Sequence, residues 1–361
     1  MPDTYVYKRV VVKVGSNVLT RTDGTLDVTR MSALVDQTAA LHKAGVEVVL
    51  VSSGAVASGR SELRVDRRLD SVDQRQLFSA VGQAKLINRY YELFREHGIS
   101  VGQVLTTKES FGTRRHYLNQ RNCMRVMLDN GVIPIVNEND TVSVGELMFT
   151  DNDELSGLIA TMMDAEALVV LSNIDGVFDG PPASPDAHLI RRVEPGQDLS
   201  AYVQTEKSGF GRGGMHTKMH IACKVADEGV AVFIANGKRP DILTDLLAHP
   251  AQTDCTYFVP ACQGASSVKK WIAHSDGFAK GGIYLNRQAA RVLREQTASL
   301  LPVGVVRIEG TFEKDDIVRL WQEDGTYLGV GKAAFDSDEA RSLMGRHGQR
   351  PLVHYDYLYL E

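Results

Sequence analysis

Val10-Val11-Val12-Lys13-Val14-Gly15-Ser16-Asn17 joins a short β-branched run to a glycine and two polar residues. The run is too short and too uniformly apolar for an amphipathic surface helix. It suits a central parallel strand covered on both faces. Glu47–Val51, Val132–Val136, Leu168–Leu171 and Val230–Ala235 share that character. Helical periodicity fills the intervals, over Val28–Ala44, Arg75–His97, Tyr117–Asn130, Asp153–Met163 and Thr217–Glu228. Alternation of this kind predicts an α/β layer fold around a parallel sheet.

The pattern changes after residue 250. Ala251–Lys270 is polar and irregular, with Pro260 and Gly264, and reads as a linker or peripheral loop. Beyond Trp271 come short runs and turn signals: Gly281-Gly282, Gly304–Ile308, Asp316–Trp321, Asp324-Gly325, Tyr327–Val330 and Leu352–Tyr359. They predict a small β-rich domain over 275–361, a linker over 256–274 and an α/β domain over 1–255.

Composition narrows the function. With 361 residues, 43% apolar and 24% charged, the chain can bury two cores. A formal charge of −5 points to neither nucleic acid nor an anionic membrane. The four cysteines, Cys123, Cys223, Cys255 and Cys262, lack metal-ligand spacing and read as buried thiols in a reducing cytosol. No secretory signal is visible, and no apolar run approaches the roughly 20 residues of a membrane helix. A cytoplasmic protein is expected.

In an open parallel sheet, ligands bind beyond the carboxyl ends of the strands. Lys13 lies within the first run, where it either snorkels to solvent or aims a cation at phosphate; the run itself leaves both open. Ser52-Ser53-Gly54-Ala55-Val56-Ala57-Ser58-Gly59 is either a tight turn into a helix or a small-residue, hydroxyl-bearing approach for an anion. Asn137-Glu138-Asn139-Asp140 is either an Asx-rich turn or a pocket for an ammonium group. In Thr150-Asp151-Asn152-Asp153-Glu154, helix capping accounts for one or two residues and leaves the others to a ligand. Ser172-Asn173-Ile174-Asp175-Gly176 is a further candidate that a turn would also explain.

The strongest single signal is Gly209-Phe210-Gly211-Arg212-Gly213-Gly214-Met215-His216-Thr217-Lys218, running directly into a helix. Free N–H groups of glycines at a helix N-terminus bind anions. The Walker A order is absent. Two lysines flanking a glycine loop, with no Ser-His-Asp or Cys-His set, fit phosphoryl transfer, which needs positioning and charge neutralisation. A carboxylate acceptor with pKa about 4.3 needs no general base. Lysines and Mg²⁺ would relieve repulsion between the two anions. His42, His97, His116 and His216 read as structural or solvent-facing.

Val11-Val12-Lys13-Val14-Gly15-Ser16, Val51-Ser52-Ser53-Gly54-Ala55, Asn137-Glu138-Asn139-Asp140, Asp151-Asn152-Asp153 and Gly213-Gly214-Met215-His216-Thr217-Lys218 resemble, in that order, the amino acid kinase family. Ser79-Ala80-Val81-Gly82-Gln83, Tyr117-Leu118-Asn119 and Arg121 resemble its branch acting on glutamate. Lys269-Lys270-Trp271-Ile272, Ser299–Val305 and Gly310-Thr311-Phe312 resemble the approach to, and core of, a PUA domain. The resemblance implies an αβα sandwich and ATP-dependent phosphorylation of the L-glutamate γ-carboxylate, the first step of proline synthesis. By motif, Lys13 and Lys218 would meet the phosphates and Asp153 would organise them or Mg²⁺. Ser53, Asn137, Asp140 and Asn152 would hold glutamate. Ser172, Asn173, Arg212, Gly213, Gly214, Met215, His216, Thr217 and Lys218 would contact ATP. A homo-oligomer (dimer or tetramer) and feedback inhibition by proline are also implied.

The chain departs from the family at Ser172-Asn173, where Thr-Asp is usual, at Thr150, where Gly is usual, and at Arg212, where Thr is usual. Rival readings are a family member acting on aspartate, acetylglutamate, carbamate or a nucleoside monophosphate, and a catalytically weak regulatory or RNA-associated homologue. Motif order and the appended domain disfavour the first. Intact Lys13, Lys218, Asp140 and Asn152 disfavour the second. Residues 275–361 hold 11 Lys+Arg against 13 Asp+Glu, a poor footprint for phosphate backbones, so strong nucleic-acid binding is not expected.

Overall fold

Strand β1 (Arg9–Val14) is buried from Val10 onward, as a strand flanked by neighbours on both edges and layers on both faces must be. The computed structural model describes residues 5–63, 69–112, 114–143, 149, 151–182, 184–197, 199, 214–261, 272, 279–296 and 298–360. The chain divides into two compact units, Met1–Thr107 with Arg121–Gly264, and Lys108–Gln120 with Ala265–Glu361.

The strands after β1 are β2 (Glu47–Ser52), β3 (Ser100–Thr106), β4 (Val132–Glu138), β5 (Ala167–Ser172), β6 (Arg192–Val193), β7 (Ala231–Asn236) and β8 (Cys255–Phe258). They form one sheet in the order β3-β4-β2-β1-β5-β7-β8-β6. Neighbours run parallel except β8, which is antiparallel to β7. The helices between them are α1 (Ser16–Leu19), α2 (Val28–Lys43), α3 (Ala55–Glu62), α4 (Ser71–Glu96), α5 (Glu109–Gly112), α6 (Arg114–Asp129), α7 (Asn152–Met162), α8 (Met215–Asp227) and α9 (Ile242–Ala248).

Alternation along β1 divides its side chains between two layers. Val10, Val12 and Val14 join a core with Leu34 and Leu41 of α2, Leu86 and Phe94 of α4, and Leu246 of α9. Val11 and Lys13 point the other way, toward the layer of α7 and α8. This is the expected αβα arrangement.

Three departures from the sequence reading have local causes. β3 is an edge strand whose apolar residues are interrupted by Ser100, Gly102 and Gln103, so it carries no apolar run. α4 begins at Ser71 rather than Arg75, because the Asp70 carboxylate caps it through the N–H groups of Val72 and Asp73. Cys255–Phe258, in the stretch read as irregular linker, is the strand β8; only four residues long, it draws its order from pairing with β7.

The small-residue stretch after β2 folds into α3, entered through Gly54 at φ 106°. Only glycine adopts that conformation freely. α3 then packs on α4 with little space between them. A Cβ on Gly59 would sit 1.8 Å from the Phe78 carbonyl oxygen, and one on Gly82 1.7 Å from that of Ala55. The two glycines set how deeply α4 settles, and α4 carries side chains to the cleft.

The second unit, besides α5 and the first part of α6, holds a small β-rich region with two helices that the turn signals concealed. That region comprises β9 (Gly281–Leu285), α10 (Arg287–Glu295), β10 (Val305–Gly310), β11 (Ile317–Gln322), β12 (Tyr327–Ala333), α11 (Ser337–Leu343) and β13 (Val353–Leu360). Its five strands run in the order β10-β9-β11-β12-β13 around a separate core containing Ile283, Leu285, Phe312, Val318 and Leu320. Gly281 and Gly282 are part of β9, not a turn. No helix among the described residues is long and apolar enough to cross a membrane.

Candidate active site

The carboxyl ends of β1, β2, β4 and β5 open into a cavity of about 760 Å³. At its centre, the Lys13 Nζ lies 2.6 Å from Asp153 Oδ1, and the Lys218 Nζ lies 3.0 Å from Asp153 Oδ2. Lys13 comes from β1, Asp153 from the first turn of α7 and Lys218 from the first turn of α8. All three side chains are largely buried. Lys13 therefore does not snorkel to solvent: it is held inside the cleft by a carboxylate shared with a second lysine.

A polar chain runs from this centre toward β4. The Asn152 Nδ2 donates to Ser53 Oγ at 2.9 Å and to Asn137 Oδ1 at 3.0 Å. The Asn137 Nδ2 in turn donates to Gln83 Oε1 of α4 at 2.7 Å. At the far side, Arg75 of α4 donates through Nε to Asp140 Oδ1 at 2.7 Å and through Nη2 to Glu138 Oε2 at 3.0 Å. Its Nη2 also contacts Asp140 Oδ1. The Phe149 N–H donates to Glu138 Oε1 at 3.0 Å.

On the other side of β1, Ser172 at the end of β5 is buried. Ser172, Asn173, Gly214, Met215 and Lys218 line the same cavity. His216 is exposed, and neither it nor Thr217 lines the cavity. Gly214 is the N-cap of α8 and has no side chain to occupy the free N–H groups of the first turn. Arg212 and Gly213, like Thr150, lie outside the described residues.

The amino acid kinase family model matches residues 8–236. The chain belongs to the amino acid kinase family. A PUA domain model matches residues 281–355. Among curated relatives of this amino acid kinase, the glutamate 5-kinase of Bacteroides thetaiotaomicron is 69% identical over 98% of this chain and 99% of its own. That of Chlorobaculum tepidum is 46% identical, over 98% of each chain. The solved structure of an isopentenyl phosphate kinase matches with a TM-score of 0.50 at 18% identity, over 70% of this chain and all (100%) of that one, a likeness of fold.

The electrostatics of this amino acid kinase suit a polyanion at one end. Burial raises the proton affinity of Asp153, but the charges and hydrogen bonds of Lys13 and Lys218 outweigh it, and the carboxyl titrates below its ordinary value. Asp151, which caps α7 through the N–H groups of Asp153 and Glu154, behaves oppositely. Burial, with the Asp153 charge adding to it, pushes its carboxyl up to about 6. Its Oδ2 is buried without a hydrogen-bond partner.

That orphaned oxygen bears on the metal that ATP-dependent kinases require. No group of three potential metal ligands occurs among the described residues. Mg²⁺ commonly takes one or two carboxylates and fills the rest of its shell with phosphate oxygens and water. A carboxylate oxygen without a hydrogen-bond partner among the described residues, beside two lysines, fits an ion that arrives on the nucleotide.

Sequence reading missed Arg75 and Gln83 as parts of the site. Gln83 was visible within a family motif. Arg75 had no signal beyond falling in a helix, because its partners lie more than 60 residues away.

Proposed function

We propose that this chain is a glutamate 5-kinase that transfers the γ-phosphoryl group of ATP to the γ-carboxylate of L-glutamate. The observation that carries the reading is Asp153 shared by Lys13 and Lys218 at the junction of two differently lined arms of one cleft. Near-full-length similarity to curated glutamate 5-kinases supports the choice of substrate.

The roles follow from position. Glutamate occupies the arm lined by Ser53, Asn137, Asp140 and Asn152. Asp140 receives the ammonium group, and the hydroxyl of Ser53 and the amide of Asn152 donate to carboxylate. ATP occupies the arm lined by Ser172, Asn173, Gly214 and Met215, and Arg212, Gly213, His216 and Thr217, next to these in the sequence, are assigned to the same ligand. Asp151 would hold Mg²⁺ arriving with ATP, and the ion would supply charge neutralisation at the phosphates.

Lys13 and Lys218 bridge the two arms. A glutamate carboxylate is ionised at neutral pH and attacks without a general base. One of its oxygens forms a bond to the γ-phosphorus as the bond to the β,γ-bridging oxygen breaks, and ADP leaves with that electron pair. The two ammonium groups offset the approach of one anion to another and the charge that develops on transfer. Asp153 keeps them together.

The same reading places the enzyme in the cytoplasm at the entry to proline synthesis, as a homo-oligomer subject to feedback by proline. We place the catalytic unit in the N-terminal α/β sheet and the PUA-like unit after the linker.

The test is direct. With ATP, Mg²⁺, L-glutamate and hydroxylamine, the protein should yield glutamyl hydroxamate and ADP. ATP consumption with aspartate and none with glutamate would reject the substrate.

A further inference from the structure

Arg75 lies outside every strand-end motif, yet it is built into the acceptor arm. Its side chain is 14% exposed, and those of Glu138 and Asp140 are 4% and 10% exposed. Both oxygens of Glu138 have partners, the Phe149 N–H on one and the Arg75 guanidinium on the other. Asp140 takes both Nε and Nη2 of Arg75 on Oδ1.

We propose that Arg75 is a specificity-determining residue of the acceptor site, bridging Glu138 and Asp140 so that the Asp140 carboxylate is held in position for one substrate ammonium. The proposal rests on the reading that Asp140 receives that ammonium.

The physical case has three parts. First, the Arg75 fork fixes where the two carboxylates lie. Without it they lose that common anchor and repel one another. A displaced Asp140 attracts an ammonium group far less.

Second, the arrangement discriminates by the amine. A substrate ammonium can pair with the Asp140 carboxylate. Glutarate, the same dicarboxylate without the amine, offers that carboxylate no cation.

Third, the guanidinium is placed by rigid structure. Arg75 and Gln83 are eight positions apart on α4 and so share a face. Gln83 fixes Asn137 while Arg75 fixes Glu138 and Asp140. One helix face thus clamps the whole polar tail of β4, and the Gly59–Gly82 approach seats that helix. A lysine would bring one point charge in place of a planar fork that reaches both carboxylates.

The experiment uses the full-length enzyme and measures the KM for L-glutamate, the inhibition constant of glutarate, kcat and the KM for ATP. R75Q and R75M both remove the charge, and R75M keeps most of the aliphatic stem. In either, the KM for glutamate should rise about tenfold or more. The glutarate constant, the KM for ATP and kcat should move much less, so discrimination against glutarate narrows. R75K should give an intermediate discrimination. D140N should narrow it as well, and adding R75Q to D140N should narrow it little further.

Wild-type discrimination in any folded Arg75 variant overturns the proposal. So does an equal loss toward both ligands, which a merely structural role would produce. An unchanged glutamate KM in D140N rejects the underlying acceptor-site reading. A raised KM in D140N beside an unchanged one in R75Q rejects only the role of Arg75.

Discussion

The two ends of the cleft invert one another. At the phosphate end, two cations, Lys13 and Lys218, converge on one carboxylate, Asp153. At the acceptor end, one cation, Arg75, is shared by two carboxylates, Glu138 and Asp140. Within the first trio the cations outnumber the carboxylate, and within the second the carboxylates outnumber the cation. Buried charges are tolerated when paired, and the imbalance left over is what can recognise a ligand. The difference teaches that the cleft is polarised along its length by the ratio of partners more than by the number of charged residues.

The largest effect should come from upsetting the phosphate end. Lys13→Ala or Lys218→Ala should lower kcat by about 100-fold or more, the scale of losing a preorganised donor to the transferring group. ADP release at saturating glutamate measures it, and a thermal melt checks that the fold survives. Near-normal turnover in folded Lys13→Ala would remove the phosphate end from the comparison.

A smaller effect belongs to the bridge between the ends. Asn152→Ala removes the amide linking Ser53 to Asn137 and should raise the glutamate KM by about tenfold. Because Asn152 bonds Ser53 and Asn137 and not the lysine pair, the KM for ATP should change little. A rise in the ATP constant equal to that for glutamate would mean that the two arms are not separate.

The smallest effect concerns stability. Asp151 titrates at about 6 in the folded chain against an ordinary 3.8. Between those values the unfolded chain binds fewer protons than the folded one, so Asp151 makes stability fall as pH rises, with no further loss above its folded pKa. Asp151→Asn keeps a good N-cap and abolishes that fall. The variant should gain on the order of 1 kcal/mol over the parent between about pH 4 and pH 8. Melts across that interval measure it; a gain of equal size at both ends would contradict the assignment. A stabilising change at this position would mark Asp151 as a charge retained for activity at a cost to the fold.

Much of this was legible in order along the chain. Val10–Val14 reads as a central strand, since a short β-branched run with valines on both faces has no solvent face. The same reasoning found β2, β4, β5 and β7, and it failed for β3 and β8, whose order comes from pairing at or near the sheet edge. Ser53, Asn137, Asp140, Asn152, Asp153 and Lys218 stood out because polar groups clustered where an apolar strand or helix turn gave no local reason for them.

By itself, then, the sequence determined the strand order of events: which runs must be buried, and which polar residues lie at their carboxyl ends. It left Lys13 open between solvent and phosphate. Only the tertiary structure showed that Lys13 is held inside the cleft, because its partner, Asp153, lies 140 residues away and meets Lys13 only when α7 packs across β1. Arg75 was undecidable from sequence for the same reason. Local patterns record which side chains must be buried, whereas the sign and count of charges around a buried group depend on which distant segments the fold brings against it.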